Sequence, residues 1–158
     1  MEPNLHTDAD KYQGGMGGWS KALAPLFIEF IGAIKEGDRV LDIGCGTRSL
    51  TFTIADTTKA STIVGIDPSV GYLEYARSHN THSHVTFDIG DAQKLPYDTG
   101  SFDCCVSSLM IQFVSPADTA AREMGRVTKE GRNGCNLRMG QQWRHGVSGK
   151  ILGRGYRS

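Results

Sequence analysis

Val40-Leu41-Asp42-Ile43-Gly44-Cys45-Gly46-Thr47 constrains this chain more than any other stretch. Val40, Leu41 and Ile43 form the short apolar run of a buried parallel strand. Gly44 and Gly46 follow where such a strand must turn. Glycine accepts positive φ there and lets a ligand approach the backbone closely. Ser49 to Ala55 then has the spacing of a helix packed on the strand. Strand, glycine loop and helix N-terminus together make a geometry that receives nucleotide-like or carboxylate-bearing ligands. The same eight residues are also compatible with a tight turn that holds no ligand.

Two downstream features narrow the choice. Val64-Gly65-Ile66-Asp67 ends a second apolar run in an acid, about 20 residues after the glycines, where a ribose-binding carboxylate is expected. Gly90-Asp91-Ala92 then precedes Leu95-Pro96 and Phe102-Asp103. In order and spacing, Asp42-x-Gly44-x-Gly46, Asp67 and Asp91-Ala92 resemble the successive motifs of class I S-adenosylmethionine-dependent methyltransferases. The likeness is to the small-molecule branch that includes the ubiquinone and menaquinone biosynthesis enzymes, and it covers residues 10–130.

The resemblance implies an α/β fold, a Rossmann-like parallel sheet wound by helices, with S-adenosylmethionine as cofactor. It implies methyl transfer to a small-molecule acceptor. Backbone N–H groups of Gly44, Cys45 and Gly46 would meet the methionine carboxylate, and Asp42 would lie beneath, toward the amino group. Asp67 would accept from both ribose hydroxyls. Asp91 would meet the adenine amino group, and Ala92 would give a backbone N–H to the ring. Ser107 lies where the family brings methyl donor and acceptor together. Helix or turn capping is the alternative role for Asp67 and Asp91. No residue is assigned as a general base.

Composition bounds the remaining possibilities. At 158 residues the chain is expected to be one domain, and 39% hydrophobic with 22% charged residues fits a soluble globular protein. No apolar run reaches the roughly 20 residues a membrane helix needs. The N-terminus, Met1 to His6, lacks the basic and apolar regions of a signal peptide. Cys45, Cys104, Cys105 and Cys135 show no Cys-x-x-Cys spacing, so neither a zinc site nor a redox pair is suggested. A reducing cytoplasm is the expected setting, with no metal and no membrane partner. His79, His82 and His84 read as a solvated turn rather than a metal site, since no cysteine or acid stands at ligand spacing.

Along the chain, residues 1–19 are expected to form a flexible, glycine-rich arm. Tyr12, Met16 and Trp19-Ser20 resemble a segment that closes over the cofactor; anchoring a mobile arm to the core is the alternative. Ser20 is a candidate cap for a helix from Lys21 to Ile34, with Leu23, Leu26, Phe27, Phe30, Ile31 and Ile34 on one apolar face. Strands are predicted at Val40–Ile43, Ile63–Ile66, Val85–Ile89 and Phe102–Ser107. Helices are predicted after the glycine loop, over Tyr72–Ala76 and over Pro116–Val127. Alternating strands and helices give a parallel sheet.

The chain departs from the family pattern twice. Arg48 occupies the position where the motif normally has a third glycine, which lets helix, strand and cofactor approach. The second departure follows Gly131. All 17 acidic residues lie in residues 1–130, whereas residues 131–158 carry six basic residues and no acid. That segment has seven glycines and no apolar periodicity, and it is expected to be an irregular basic tail. Codons can be chosen so that reading it one nucleotide later gives DGMVATCVWDSNGGMEFLVKFWEEATD, a strand, turn and amphipathic helix of the kind the family places here. Residues 20–130 are therefore expected to be a partial methyltransferase domain of about four strands, truncated by a frameshift, with methyl transfer impaired or absent. Two alternatives stand beside this reading. One is a nicotinamide-dependent oxidoreductase fragment, against which Asp42 and Gly90-Asp91-Ala92 argue. The other is a nucleic-acid-binding module using the basic tail.

Overall fold

The computed structural model describes residues 18–32 and 34–137, with Trp19, Gln112 and residues 132–137 described as backbone alone. Five parallel strands form one sheet: β1 (Arg39–Ile43), β2 (Thr62–Asp67), β3 (Val85–Ile89), β4 (Phe102–Ser108) and β5 (Thr128–Leu137). Four α-helices accompany them: α1 (Gly18–Ile31), α2 (Ser49–Thr57), α3 (Val70–Ser78) and α4 (Ala117–Val127). The strand order is β3-β2-β1-β4-β5. The chain therefore reverses its direction of winding between β1 and β4, the place where open α/β sheets form a crevice beyond the strand ends.

The sheet is apolar on both faces, as a parallel sheet covered on both sides must be. On one face Val40, Ile63, Val85, Phe87, Cys104 and Val106 pack with Phe27 of α1, Leu50 and Ile54 of α2 and Leu73 of α3. On the other, Leu41, Ile43, Val64, Ile66 and Cys105 pack with Ala120, Met124 and Val127 of α4 and with Leu95. Each fully buried aliphatic side chain contributes about 1.5–3 kcal/mol relative to exposure, so the two layers hold the strand ends in register.

The strands and the helices α2, α3 and α4 fall where the sequence predicts them. Some expectations about the first helix and the sheet need correction. The first helix begins at Gly18, three residues earlier than expected, so Ser20 lies within its first turn instead of capping it. Its buried stripe is also rotated: Ala24 and Phe27 are buried, whereas Leu26 and Phe30 remain 62% and 52% exposed. The helix ends at Ile31, with Gly32 at φ 49° and its N–H bonded to the Ile28 carbonyl. The sheet, too, differs: it has five strands, not about four. Helix α4 runs straight into β5, whose residues 133–137 pair with Cys104 to Ser108, so the stretch 131–137 is strand rather than irregular. Asp103 of β4 ties its two neighbours β1 and β5 further, accepting from the Arg39 N–H at 3.0 Å and from Lys129 Nζ at 2.8 Å. The expected arm over residues 1–17 and the tail over 138–158 lie outside the described residues. Among those described, no helix is long and apolar enough to cross a membrane.

Candidate functional site

The residues singled out by the sequence converge at the C-terminal ends of β1 and β2. Gly44 and Gly46 have φ of 71° and 54°, a left-handed conformation that glycine adopts without strain. The loop is stitched onto the end of β2. The Gly44 and Cys45 N–H groups both donate to the Ile66 carbonyl, at 2.8 and 3.1 Å. The Gly46 N–H donates to Asp67 Oδ2 at 2.9 Å. All three N–H groups, which the resemblance assigns to a ligand carboxylate, are bonded within the chain. The reason is Asp67 itself, an internal anion at the end of the neighbouring strand. Asp67 Oδ1 also accepts from the Ser69 N–H at 2.9 Å, and the residue is 8% exposed.

Asp42 is 1% exposed, and its Oδ2 accepts from Thr51 Oγ1 at 2.6 Å. Burial pushes its carboxyl up to about 7; the Thr51 hydroxyl opposes this rise and the Asp67 charge adds to it. No lysine, arginine or histidine pairs with Asp42 among the described residues. A pocket opens beside it, lined by Ser20, Asp42, Gly44, Cys45, Thr47, Ser49, Leu50 and Ser108. Helix α1 thus contributes Ser20 to a site otherwise built from β1, α2 and β4.

The other predicted residues are placed less directly. The Cys45 side chain is buried, with its thiol pushed well up by desolvation, and it packs beneath Gly65. A Cβ added at Gly44 would fall on the Met110 side chain, so the close neighbour of this glycine is Met110. Gly90 lies beside Asp67, donating its N–H to the Asp67 carbonyl at 3.2 Å. Asp91 is exposed, and its Oδ1 accepts from the Gln93 N–H at 2.8 Å in the turn-capping role. Ala92 is buried in the α4-side core. Ser107 is fully buried in β4, and Ser108, which alternation directs to the opposite face, lines the pocket instead.

Arg48 has φ 100°, the backbone conformation for which glycine is normally used. Its guanidinium lies over the Phe52 ring at 4.8 Å and the Tyr75 ring at 5.6 Å, bridging α2 and α3. The side chain therefore turns away from the pocket. Sequence reading places Ser20 in the segment near the cofactor but misses Thr51, Ser108 and Met110. Serine, threonine and methionine carry no signal in themselves, and only the packing of α1, α2 and β4 around Asp42 brings these residues together.

The family profile described as "Methyltransferase domain" matches residues 40–131, more than half of the chain. The chain belongs to the methyltransferase domain family. It is of the class I, S-adenosylmethionine-dependent kind, and this sets aside the nicotinamide-dependent reading. Among curated relatives of this methyltransferase domain, the demethylmenaquinone methyltransferase of Beutenbergia cavernae is 36% identical over 104 residues, covering 66% of this chain and 41% of the relative. The ubiquinone/menaquinone biosynthesis C-methyltransferase UbiE of Bdellovibrio bacteriovorus is 33% identical over 125 residues, covering 78% of this chain and 51% of the relative. The phosphoethanolamine N-methyltransferase 2 of Haemonchus contortus, solved in complex with S-adenosyl-L-methionine, superposes with a TM-score of 0.66 at 27% identity, covering 72% of this chain and 27% of that one. The methyltransferase domain described here spans about half or less of the length of these relatives.

Proposed function

We propose that this chain binds S-adenosylmethionine at the C-terminal ends of β1 and β2 and supports transfer of its methyl group to a small-molecule acceptor. One observation carries the reading: a buried carboxylate, Asp42, faces a polar pocket without a cationic partner among the described residues, and a second, Asp67, stands at the next strand end. That donor and acceptor set fits a ligand with an ammonium group at one end and hydroxyls at the other. When bound, S-adenosylmethionine supplies a methyl group on a positively charged sulfur, ready for attack by nitrogen, oxygen, sulfur or carbon.

The chain's own part is to bind and orient. Asp42 accepts from the amino group. Asp67, held in place by Gly46 and Ser69 at the end of β2, would accept from the ribose hydroxyls. The Gly90-Asp91-Ala92 turn, bonded to the Asp67 backbone, borders the base. The gain is one of proximity and alignment rather than of proton transfer. The quinone-biosynthesis names of the relatives support a small-molecule acceptor.

Titration calorimetry with S-adenosylmethionine, S-adenosylhomocysteine and NAD tests the reading. Binding of both sulfur ligands with no response to NAD is expected. Asp67→Ala should weaken that binding by about 1.5–3 kcal/mol, because the hydroxyls lose a charged acceptor. NAD binding without either sulfur ligand would remove the proposal.

A further inference from the structure

Three costly features stand in consecutive residues at the end of β4. The Oγ atoms of Ser107 and Ser108 are buried and make no hydrogen bond among the described residues. A buried unsatisfied hydroxyl is costly and calls for a specific explanation. Leu109 follows at φ 62°, a left-handed backbone that a bulky side chain rarely adopts, and this leucine is buried. Costs of this kind persist only where the surroundings enforce them, and they cluster at ligand clamps and switch segments.

What the strained segment holds in place is Met110. A Cβ built at Gly44 would meet Met110 Cβ and Cγ, so the methionine side chain lies on the bare Cα face of the glycine loop. A glycine leaves room there for a ligand to approach the backbone, and Met110 fills that room instead. Met110 also packs against the α4-side core, and its carbonyl accepts from the Phe113 N–H at 2.8 Å in a single 3-10 turn, Ile111–Phe113. Phe113 is 58% exposed, so the turn that follows Met110 is not sealed into the core.

We propose that residues 107–110 are a latch: a strained end of β4 that rests Met110 on the glycine loop and lifts it off when ligand enters. The inference rests on the S-adenosylmethionine reading for the identity of that ligand. In the released state Leu109 returns to ordinary backbone angles and the two serine hydroxyls gain partners. Release therefore relieves costs that the latched state carries. Methionine suits the part, because its unbranched, flexible side chain repacks readily. Apparent affinity is then set by the share of chains that are released.

Calorimetry with S-adenosylhomocysteine on the full chain tests the latch through two neighbouring residues whose substitutions act in opposite directions. Met110→Ala removes the side chain that rests on Gly44 and should tighten binding by about fivefold or more. Leu109 is tested by comparing two substitutions that both remove its side chain. Glycine takes φ 62° without strain and alanine does not, so glycine favours the latched state. Leu109→Gly should therefore bind S-adenosylhomocysteine about fivefold more weakly than Leu109→Ala. It should also melt at a higher temperature than Leu109→Ala, a readout that needs no ligand. Contacts that serve only to build the site would instead weaken binding when Met110 is truncated. Met110→Ala binding no tighter than the parent, or equal affinity in the two Leu109 variants, would overturn the latch and leave the methyltransferase reading intact. So would a Leu109→Gly chain that melts no higher than Leu109→Ala. Failure of the parent and of every variant to bind S-adenosylhomocysteine would remove the underlying reading and the release step with it.

Discussion

Asp42 gives the clearest residue-scale consequence. Its carboxyl stands at about 7 in the folded chain against an ordinary value of 3.8. Between those values the folded chain holds a proton that the unfolded chain has released, so stability falls as pH rises through that window and levels off above it. The loss is on the order of 4 kcal/mol. Urea unfolding at pH 4.5 and at pH 7.5 should show about 3 kcal/mol of that loss, and Asp42→Asn should remove most of it; an unchanged difference would mean Asp42 is ionised throughout. Glu123 acts in the opposite sense. Its bond to Arg126 holds its carboxyl below the usual range, so its contribution is lost only on acidification. Arg48 is a second case. Its left-handed backbone costs about 1–2 kcal/mol. Its stacking on Phe52 and Tyr75 returns about 0.5–1 kcal/mol for each ring. Arg48→Gly should therefore change stability by no more than about 1 kcal/mol and leave ligand affinity unaltered. Tighter binding in the variant would show that the side chain crowds the glycine loop after all.

At the scale of elements, α4 locks the connection between β3 and β4. Arg126 grips Glu123 through two nitrogens, at 2.6 and 2.7 Å, and donates to the carbonyls of Tyr97 and Leu95. Glu123 in turn accepts from the Leu95 N–H at 2.9 Å. One planar guanidinium thus holds a helix and a loop, a geometry that a lysine ammonium cannot reproduce. Arg126→Lys should lower Tm and speed amide exchange at Leu95 and Gly100; unchanged exchange would show that the loop is held by Leu95 packing alone. Strand β5 is the weak element. It borders β4 on one side only, and its sequence TKEGRNGCNL has two glycines and few of the β-branched or aromatic residues that suit a sheet. Amides of residues 133–137 should exchange through local opening, well before those of β1, which is paired on both sides. Equal protection would mean that β5 belongs to the same cooperative unit.

On the whole-molecule scale, the strand order concentrates the site. Winding outward from β1 to β2 and β3, then back to β4 and β5, leaves the ends of β1 and β4 as the opening of the crevice. Asp42, the glycine loop and Ser108 all stand there. The β5 edge is the point where this architecture is least finished. A variant that carries the shifted-frame string after residue 130 would place the apolar run MVATCVW beside β4. Its unfolding midpoint in urea should rise, with a steeper transition as more surface becomes buried. A midpoint no higher than the parent's would show that the shifted string does not belong in this sheet.

The sequence by itself determined the elements and the family. Short apolar runs ending in Asp42 and Asp67, glycines that take positive φ, and helical stripes are local properties, legible because strand and helix periods differ. The order of the motifs carried the methyltransferase likeness. Tertiary structure decided where each polar group spends its hydrogen bonds. It turned the Gly44, Cys45 and Gly46 N–H groups inward to Ile66 and Asp67, chose Ser108 over Ser107, and rotated α1 so that Ser20 meets the pocket. It also paired residues 133–137 with β4, because an open strand edge offers unpaired backbone groups that even a polar segment can satisfy. Those outcomes depend on partners distant in the sequence, and no local pattern encodes them.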